Sequence, residues 1–588
     1  MHRGDYMDKL PQMQFPDYIV IAVYFVTIIF TGLYFSRLVR KVKDYFCAGS
    51  TMPWWLAGTS FYMASFTALF FVLYNEIAYV YGIVALSYVW ILTVCIFISG
   101  MLLSIRWRRA RTMTPIEFME RRFNKNVHQI FVWAGIPYRL LDNGLRIFTT
   151  ALVLTLAMQN PFIDFNRFVL ITGLIMIAYT YLGGQTAVII TDFIQAIIIL
   201  IAVVVLFFMI IVRIDSIPSF LSSMPEGFFH PARKPYDWIY LLCSCFAIAV
   251  FDYGACWPLV QKYNTTRSEH DARKMVYYVT ILGLIMPAIF IFPGLAARYL
   301  MPAIENTRTV YPVMFLTILP VGLIGFMIAA LFSATLSTLG SEFNTLSGIL
   351  TRDFYKKIIN PDISERCEIL FGRFATILVG FSVMAVAFAL NSLKTLNLMD
   401  IMVRYFAAFG PPLSIPIVSG LLFRKFNSRG VRWGVIGGVF VGIGLQLSNV
   451  LVTEKYAQLM AANQKIDYWL RSGWTSIATL VTIITVFLLM WLGTRAKETS
   501  PDEKKRVDEF FTDIKKPFEL DTTHLPVFYP FNIISFIVAV FGITMLAVSL
   551  IVLMFFHDMH SFLVNAIVGT VMLIGAGIMR MKSRNFVY

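Results

Sequence analysis

Charge is scarce in this chain. Asp, Glu, Lys and Arg together make up only 14% of its 588 residues, against 58% hydrophobic residues and a mean hydropathy of +0.71. That balance excludes an ordinary soluble protein, and no separate soluble domain stands out, so the chain reads as a polytopic membrane protein that lives in a lipid bilayer. Cysteine is equally sparse: there are six, several inside apolar runs (Cys95, Cys243, Cys245), with no metal-ligand spacing and no disulfide framework. Glycosylation-type sequons come down to one, Asn264-Thr265-Thr266. A cleavable leader is missing as well, because the first apolar run, Asp17 to Phe35, is long enough to span and no small-residue cleavage site follows it. The chain has no phosphate-binding glycine loop, no nucleophile motif and no metal triad, which argues against an enzyme.

The charge that is present has a pattern. Lys and Arg exceed Asp and Glu by 49 to 34, a net +15, and they gather in short loops: Arg37 to Lys43, Arg106 to Arg111, Lys262 to Lys274, Arg352 to Lys357, Arg424 to Arg432, Arg495 to Lys516 and Arg580 to Arg584. Basic clusters at alternate connections are a topology signal and not a nucleic-acid surface. They imply an N-terminus outside and a C-terminus inside. Between them, runs of roughly 20 apolar residues predict about fifteen helices at 18–37, 53–74, 78–104, 128–158, 166–183, 186–213, 236–258, 275–300, 311–346, 368–391, 397–423, 432–452, 473–493, 529–556 and 561–580. Segment 495–528 reads as an inside linker with a short surface helix around Asp502 to Ile514.

One span differs from a plain anchor. In Ile328 to Asp353, Ala334, Ser337, Thr338 and Ser341 recur at i, i+3, i+4 and i+7, so they share one helix face. Such a stripe is either a small-residue packing seam or the wall of a cavity, because bare hydroxyls are poorly placed against lipid. Two other spans are interrupted: 53–74 by Gly58, Thr59, Ser60, Ser65 and Thr67, and 236–258 by Asp252, Gly254 and Pro258. Breaks five spans apart fit an inverted repeat, since unwound carbonyls can coordinate a cation and freed amides can meet a substrate.

Charges inside the spans narrow the reading. Asp142, Arg146, Asp192, Asp252, Glu342 and Arg404 all fall within apolar runs, where each charge costs roughly 2.5–3.5 kcal/mol on insertion scales and so needs a partner or water. Asp142 and Arg146 stand four apart and can neutralise each other; alternatively Arg139, one turn earlier, takes Asp142 and leaves Arg146 free. Structural pairing is the expected role of Glu342 and Arg404.

The run YTYLGGQTAVIITDFIQ, Tyr179 to Gln195, resembles the GG-x-x-(A/G)-V-x-x-TD-x-x-Q signature of the sodium:solute symporter family, which includes sodium/glucose, proline and sialic acid transporters. DYFCAGSTMPWWLAG (44–58), PIEFMERRFNK (115–125), Gln261-Lys262 and the SxFNxxSxILTxDFY run (341–355) match further family motifs in order, so the resemblance covers at least residues 15–440. It implies an all-α, leucine-transporter-type five-plus-five inverted repeat with extra flanking helices. The expected organisation is a leading segment with the first span and its loop (1–52), a transport core (53–423, repeats at about 53–213 and 236–423) and accessory helices (424–588). The implied activity is sodium-coupled symport of a small organic solute by alternating access.

Carried over by position, the family's main sodium site uses the carbonyls of Met63, Phe66 and Ala334 and the hydroxyls of Ser337 and Thr338. Oxygen ligands without a formal charge suit this hard cation. Asp192 matches an aspartate that guides sodium release or joins hydroxyls of the eighth core helix in a second sodium site; that set here is Asp192, Ser337 and Ser341, with Gly340 where a further serine is expected. The groups that grip a neutral sugar would fall at Phe70, Val89, Ala249 and Gly283, and none is kept; the inner-gate tyrosine position is Asp252, followed by Tyr253. Arg146 falls where sialic acid symporters bind the substrate carboxylate, with Ser65 and Thr67 beside it. The resemblance therefore implies a carboxylate-bearing sugar, a sialic acid or hexuronate; a neutral sugar or polyol, or an amino acid, is the alternative. A sensor built on a transporter core needs a signalling module after the last span, and a channel needs no sealed core. No obligate protein partner is evident, and the lack of outward sequons and long outward loops points to a bacterial inner membrane.

Energetics tie the substrate to the sodium count. A sodium ion moving down a tenfold gradient yields about 1.4 kcal/mol, and each charge moving through 100 mV adds about 2.3 kcal/mol. An anion carried with one sodium moves no net charge and so gains nothing from the potential; an anionic substrate accordingly favours two sodium ions.

Overall fold

Apolar runs of this length leave the backbone no hydrogen-bond partner but itself, and they form helices. The structure, a computed structural model, describes residues 13–36, 42–65, 67–158, 164–392, 398–456, 460, 463–518 and 531–584, among which there is no β-strand. In chain order the main helices are α1 (Phe15–Ser36), α2 (Trp54–Met63), α3 (Ala68–Tyr81), α4 (Val84–Ala110), α5 (Lys125–Met158) and α6 (Phe165–Arg213). There follow α7 (Trp238–Ala255), α8 (Trp257–Thr265), α9 (Glu269–Leu300), α10 (Val310–Ile318) and α11 (Leu323–Ile359). The rest are α12 (Glu365–Ser392), α13 (Leu398–Leu422), α14 (Ser428–Lys455), α15 (Trp474–Arg495), α16 (Pro501–Lys515), α17 (Phe531–Phe556) and α18 (Met559–Arg584).

Twelve of these are long and apolar enough to cross a membrane, or thirteen if the bent pair α2 and α3 is one span. The expected fifteen are therefore not all of one kind. α5 is helical but carries Arg139, Asp142 and Arg146 in its middle, and Phe165–Tyr181 is a shorter apolar helix that meets the rest of α6 at Gly184. Gly184 holds a positive φ of 56°, and the Tyr45 side chain and carbonyl fill the space a Cβ would need, so the motif glycine is where α6 changes direction. The expected single span 311–346 is corrected. It is two helices, α10 and α11, because Leu319 turns extended ahead of Pro320 and Gly322 adopts φ +91°. The basic loop residues Arg37, Arg40 and Lys41 lie outside the described residues.

α11 sits at the centre. Its apolar window is wholly buried, against 28% for α14 and α18, and it packs on α6, α1, α12 and α5. The outer helices present large exposed side chains such as Phe440, Leu451, Phe555 and Ile567, the surface of a multi-pass membrane protein. Polar side chains tie α11 inward: Asn344 donates to Gln185 (2.7 Å), Thr345 to Gln261 (2.5 Å), and Gln261 to the Phe46 carbonyl (2.6 Å). A helix matching the expected 502–514 segment is present as α16; it meets α4 and the short helix Glu117–Arg122, with Asp513 3.3 Å from Arg121.

The start of α11 depends on α1. Buried Asp17 accepts hydrogen bonds from the Gly322 and Gly325 amides, both at 2.8 Å, satisfying two donors that a helix N-terminus leaves open. Replacing Asp17 by Ala orphans both amides and is expected to destabilise the protein by about 1–3 kcal/mol, read as a lowered melting temperature in detergent. Asp17→Asn, which keeps an acceptor oxygen, should recover part of the loss; equal melting of wild type and Asp17→Ala would rule the cap out.

Candidate functional site

The two expected breaks exist. α2 ends at Met63, α3 begins at Ala68, and their axes differ by 62°. The free N-terminus of α3 is met from α11, since the Ala68 amide donates to Thr335 Oγ1 (3.1 Å), which also bonds Thr150 (2.8 Å). α7 ends at Cys256, whose ψ of 116° interrupts the helix, and Pro258 lies in the first turn of α8, where its missing amide leaves no bond unmade.

At the first break the chain gathers oxygens. Thr338 Oγ1 lies 3.3 Å from the Met63 carbonyl and 3.2 Å from the Ala334 carbonyl, to both of which it donates. Ser337, one residue earlier, is fully buried, and its hydroxyl faces the Asp192 carboxylate. Buried oxygens gathered in this way suit a hard cation better than a dry core. Three of the five expected sodium ligands, Met63, Ala334 and Thr338, are thus adjacent, while Ser337 meets Asp192. Phe66, the fifth, lies outside the described residues.

Next to this group is a buried ionic cluster. Asp192, on α6, takes a short hydrogen bond from Ser60 of α2 on Oδ2 and also interacts with Ser337. Lys262, on α8, places its ammonium 2.9 Å from Ser341 Oγ and 3.6 Å from Asp192 Oδ2. Ser60, Asp192, Lys262, Ser337 and Ser341 are all fully buried. Asp192, Ser337 and Ser341 therefore come together as the sequence suggests, but around a lysine that no sequence spacing linked to them.

Beyond the break opens a cavity of about 250 Å³. Ser65, Thr67, Phe70, Val89, Arg146, Asp252 and Tyr253 all line it. Every candidate substrate residue thus faces one space, as do Ala249 and Gly283, the positions without sugar-gripping side chains. The charges divide. Arg146 Nη2 donates to Asp142 Oδ2 at 2.8 Å, while Arg139 goes to Glu342 at 3.2 Å and not to Asp142. The i,i+4 pairing is the arrangement adopted, and Glu342 has the structural partner expected of it. Among the described residues Arg404 makes no ion pair.

Arg146 keeps capacity in reserve. With 19% of its side chain exposed and one nitrogen bonded to Asp142, the rest of its guanidinium is open to the cavity. Residues not picked out as substrate groups also line the space, among them Tyr62, Tyr88, Arg139, Ser244 and Tyr405. Tyr405, on α13, donates to Asp142 Oδ1, a contact across 263 positions that nothing in the local pattern signals. Arg139, one turn from Asp142, was the member of this group that the sequence marked.

The sequence profile of the sodium:solute symporter family matches residues 45–438, well over half of the chain. A sodium/sialic acid symporter, NanT of Aliivibrio fischeri, is 26% identical over 449 residues, 72% of this chain and 86% of its own. A sodium/glucose cotransporter of Vibrio parahaemolyticus is 25% identical over 465 residues, 73% and 84% of the two chains. A solved structure of a Na+-coupled sialic acid symporter, substrate-bound and outward-open, is similar with a TM-score of 0.67 at 20% identity, covering 82% of this chain and 98% of that one. The fold is the leucine-transporter type, and the match extends across both breaks and α11. The chain is a sodium-coupled solute transporter of the membrane, not an enzyme, and belongs to the sodium:solute symporter family.

Proposed function

We propose that the protein imports a carboxylate-bearing sugar, a sialic acid or a hexuronate, together with sodium. The observation that carries this is Arg146: its guanidinium lines the cavity, and only one of its nitrogens is engaged by Asp142. A planar fork with free donors is matched to a carboxylate. Ser65 and Thr67 would meet sugar hydroxyls, and Phe70 and Val89 the apolar edges of the ring. Sodium would sit between Met63, Phe66, Ala334, Ser337 and Thr338, close to the break in the first core helix, so that cation and solute stabilise the same closed arrangement. The repeats would run over about 53–213 and 236–423, with the N-terminus outside, the C-terminus inside, and the protein in a bacterial inner membrane. Relatives named for sialic acid and for glucose are similar to nearly the same degree, so likeness alone does not separate the substrates.

A second reading is favoured by the charge balance. Around the cavity Asp142, Asp252 and Glu342 oppose Arg139 and Arg146, three carboxylates to two guanidiniums. A solute with both a carboxylate and an ammonium, as in an amino acid, would give Asp252 a partner that an acidic sugar lacks.

Uptake into proteoliposomes under an imposed sodium gradient separates these readings, with labelled sialic acid, a hexuronate, a neutral hexose and an amino acid run in parallel. We expect an acidic sugar to accumulate and Arg146→Ala to weaken its uptake by roughly 10- to 100-fold, the loss of charge-assisted hydrogen bonds, while Asp142→Asn, which removes the competing partner, remains active. Uptake of the neutral hexose with Arg146→Ala silent would reduce Arg146 to a partner of Asp142. In the same assay Ser337→Ala should raise the sodium concentration for half-maximal uptake roughly tenfold or more, equivalent to about 1.4 kcal/mol of lost ligation. An unchanged sodium dependence would remove Ser337 from the sodium site.

A further inference from the structure

The Asp192 carboxylate is wholly withdrawn from water, and the cation beside it is covalently attached to the chain. The Lys262 ammonium lies 3.6 Å from Asp192 Oδ2 and 2.9 Å from Ser341 Oγ, in the space framed by Ser60, Ser337 and Ser341. We propose that Lys262 is the resident cation of the second cation position, so that the transporter binds one sodium ion and not two. The inference rests on the sodium-symport reading above and deepens it.

Three observations converge. The lysine is held in place: α8 is buried along its length, neighbouring Gln261 is anchored to the Phe46 carbonyl and to Thr345, and the Lys262 carbonyl accepts from Thr265 at 2.8 Å. The oxygen set is also incomplete by construction. At Gly340 an added Cβ would come within 2.9 Å of the Tyr179 ring, which is fixed by the Tyr179 to Thr191 hydrogen bond, so a serine there would have to push the ring aside. The charge count agrees, because Asp192 offers one negative charge, and a sodium ion beside the ammonium would leave a net buried charge without compensation. An ammonium and a sodium ion both want oxygen, and only one of them is tethered.

The test is sodium binding to the purified full-length protein in detergent, counted with radiolabelled sodium and requiring no knowledge of the solute. Wild type should bind one ion per chain with a Hill coefficient of unity, and Ser337→Ala should lose it. Lys262→Ala frees Asp192, Ser60 and Ser341 and should bind two ions, the second lost again in Lys262→Ala combined with Asp192→Asn; Lys262→Arg should bind one. Two ions on the wild type, or one on a Lys262→Ala protein that melts and elutes normally, would overturn the proposal. If Lys262→Ala does not fold, the wild-type count decides: one supports the assignment, two ends it. No sodium binding by wild type under any condition is a different result, and it removes the symport reading itself.

Discussion

An unwound stretch inside a membrane protein presents carbonyls and amides that hydrocarbon cannot satisfy, at several kcal/mol for each group left bare. The gap between Met63 and Ala68 creates this problem, and the surrounding architecture answers it. Thr335 reaches the Ala68 amide, Thr338 reaches the Met63 carbonyl, and α11, which carries both threonines, is buried throughout the window that passes this point. A helix facing lipid could not present that many hydroxyls. α11 is surrounded by α1, α5, α6 and α12 because its inner face has work that only protein or a bound cation can balance. Asp17, bridging α1 to the first amides of α11, fixes the height at which those hydroxyls meet the break.

The ionisable side chains follow the same rule on a larger scale. Four basic side chains within the bundle have a carboxylate on a different helix or one turn away: Arg139 with Glu342, Arg146 with Asp142, Lys262 with Asp192, His128 with Asp353; buried Asp17 is met by backbone amides instead. Asp252 faces the cavity with Arg139 and Arg146 as its nearby cations, and both are already engaged. A group left over in this way marks the place where solute enters the balance. The solute would complete a charge network that the chain has left one partner short.

How much of this was legible in the sequence depends on how far apart the partners lie. The break at Ser65, the stripe from Ala334 to Ser341 and the Asp142 to Arg146 pair are local patterns, and spacing alone carries them. The family motifs extend that reach, carrying the cavity-lining set from Ser65 to Tyr253. Contacts between distant positions were not legible: Tyr405 with Asp142, Arg139 with Glu342, and above all Lys262 with Ser341. Lys262 belongs to a cluster of basic residues that reads as a loop signal, and only the fold turns its side chain inward. The split of 311–346 into α10 and α11 was written in Pro320 and Gly322, yet the apolar run masks it because hydropathy averages over a break.

Gly340 joins the local and the distant. Read along the chain it is a missing hydroxyl; in the fold it is the space occupied by Tyr179, a residue of the motif that also supplies Asp192. The absence of a side chain on α11 and the Tyr179 contact from α6 go together, and Lys262 supplies the cation beside Asp192. A tethered ammonium does not cross the membrane, so it neutralises Asp192 without adding to the charge moved in a cycle. Coupled to one sodium, an acidic sugar would then travel without net charge and draw only on the sodium gradient, about 1.4 kcal/mol per tenfold, whereas a zwitterion or a neutral sugar would also draw on the membrane potential, about 2.3 kcal/mol per 100 mV. The nature of the solute and the identity of the cation at Asp192 are therefore one question in energetic terms, and an accumulation ratio that ignores membrane potential would answer both halves together.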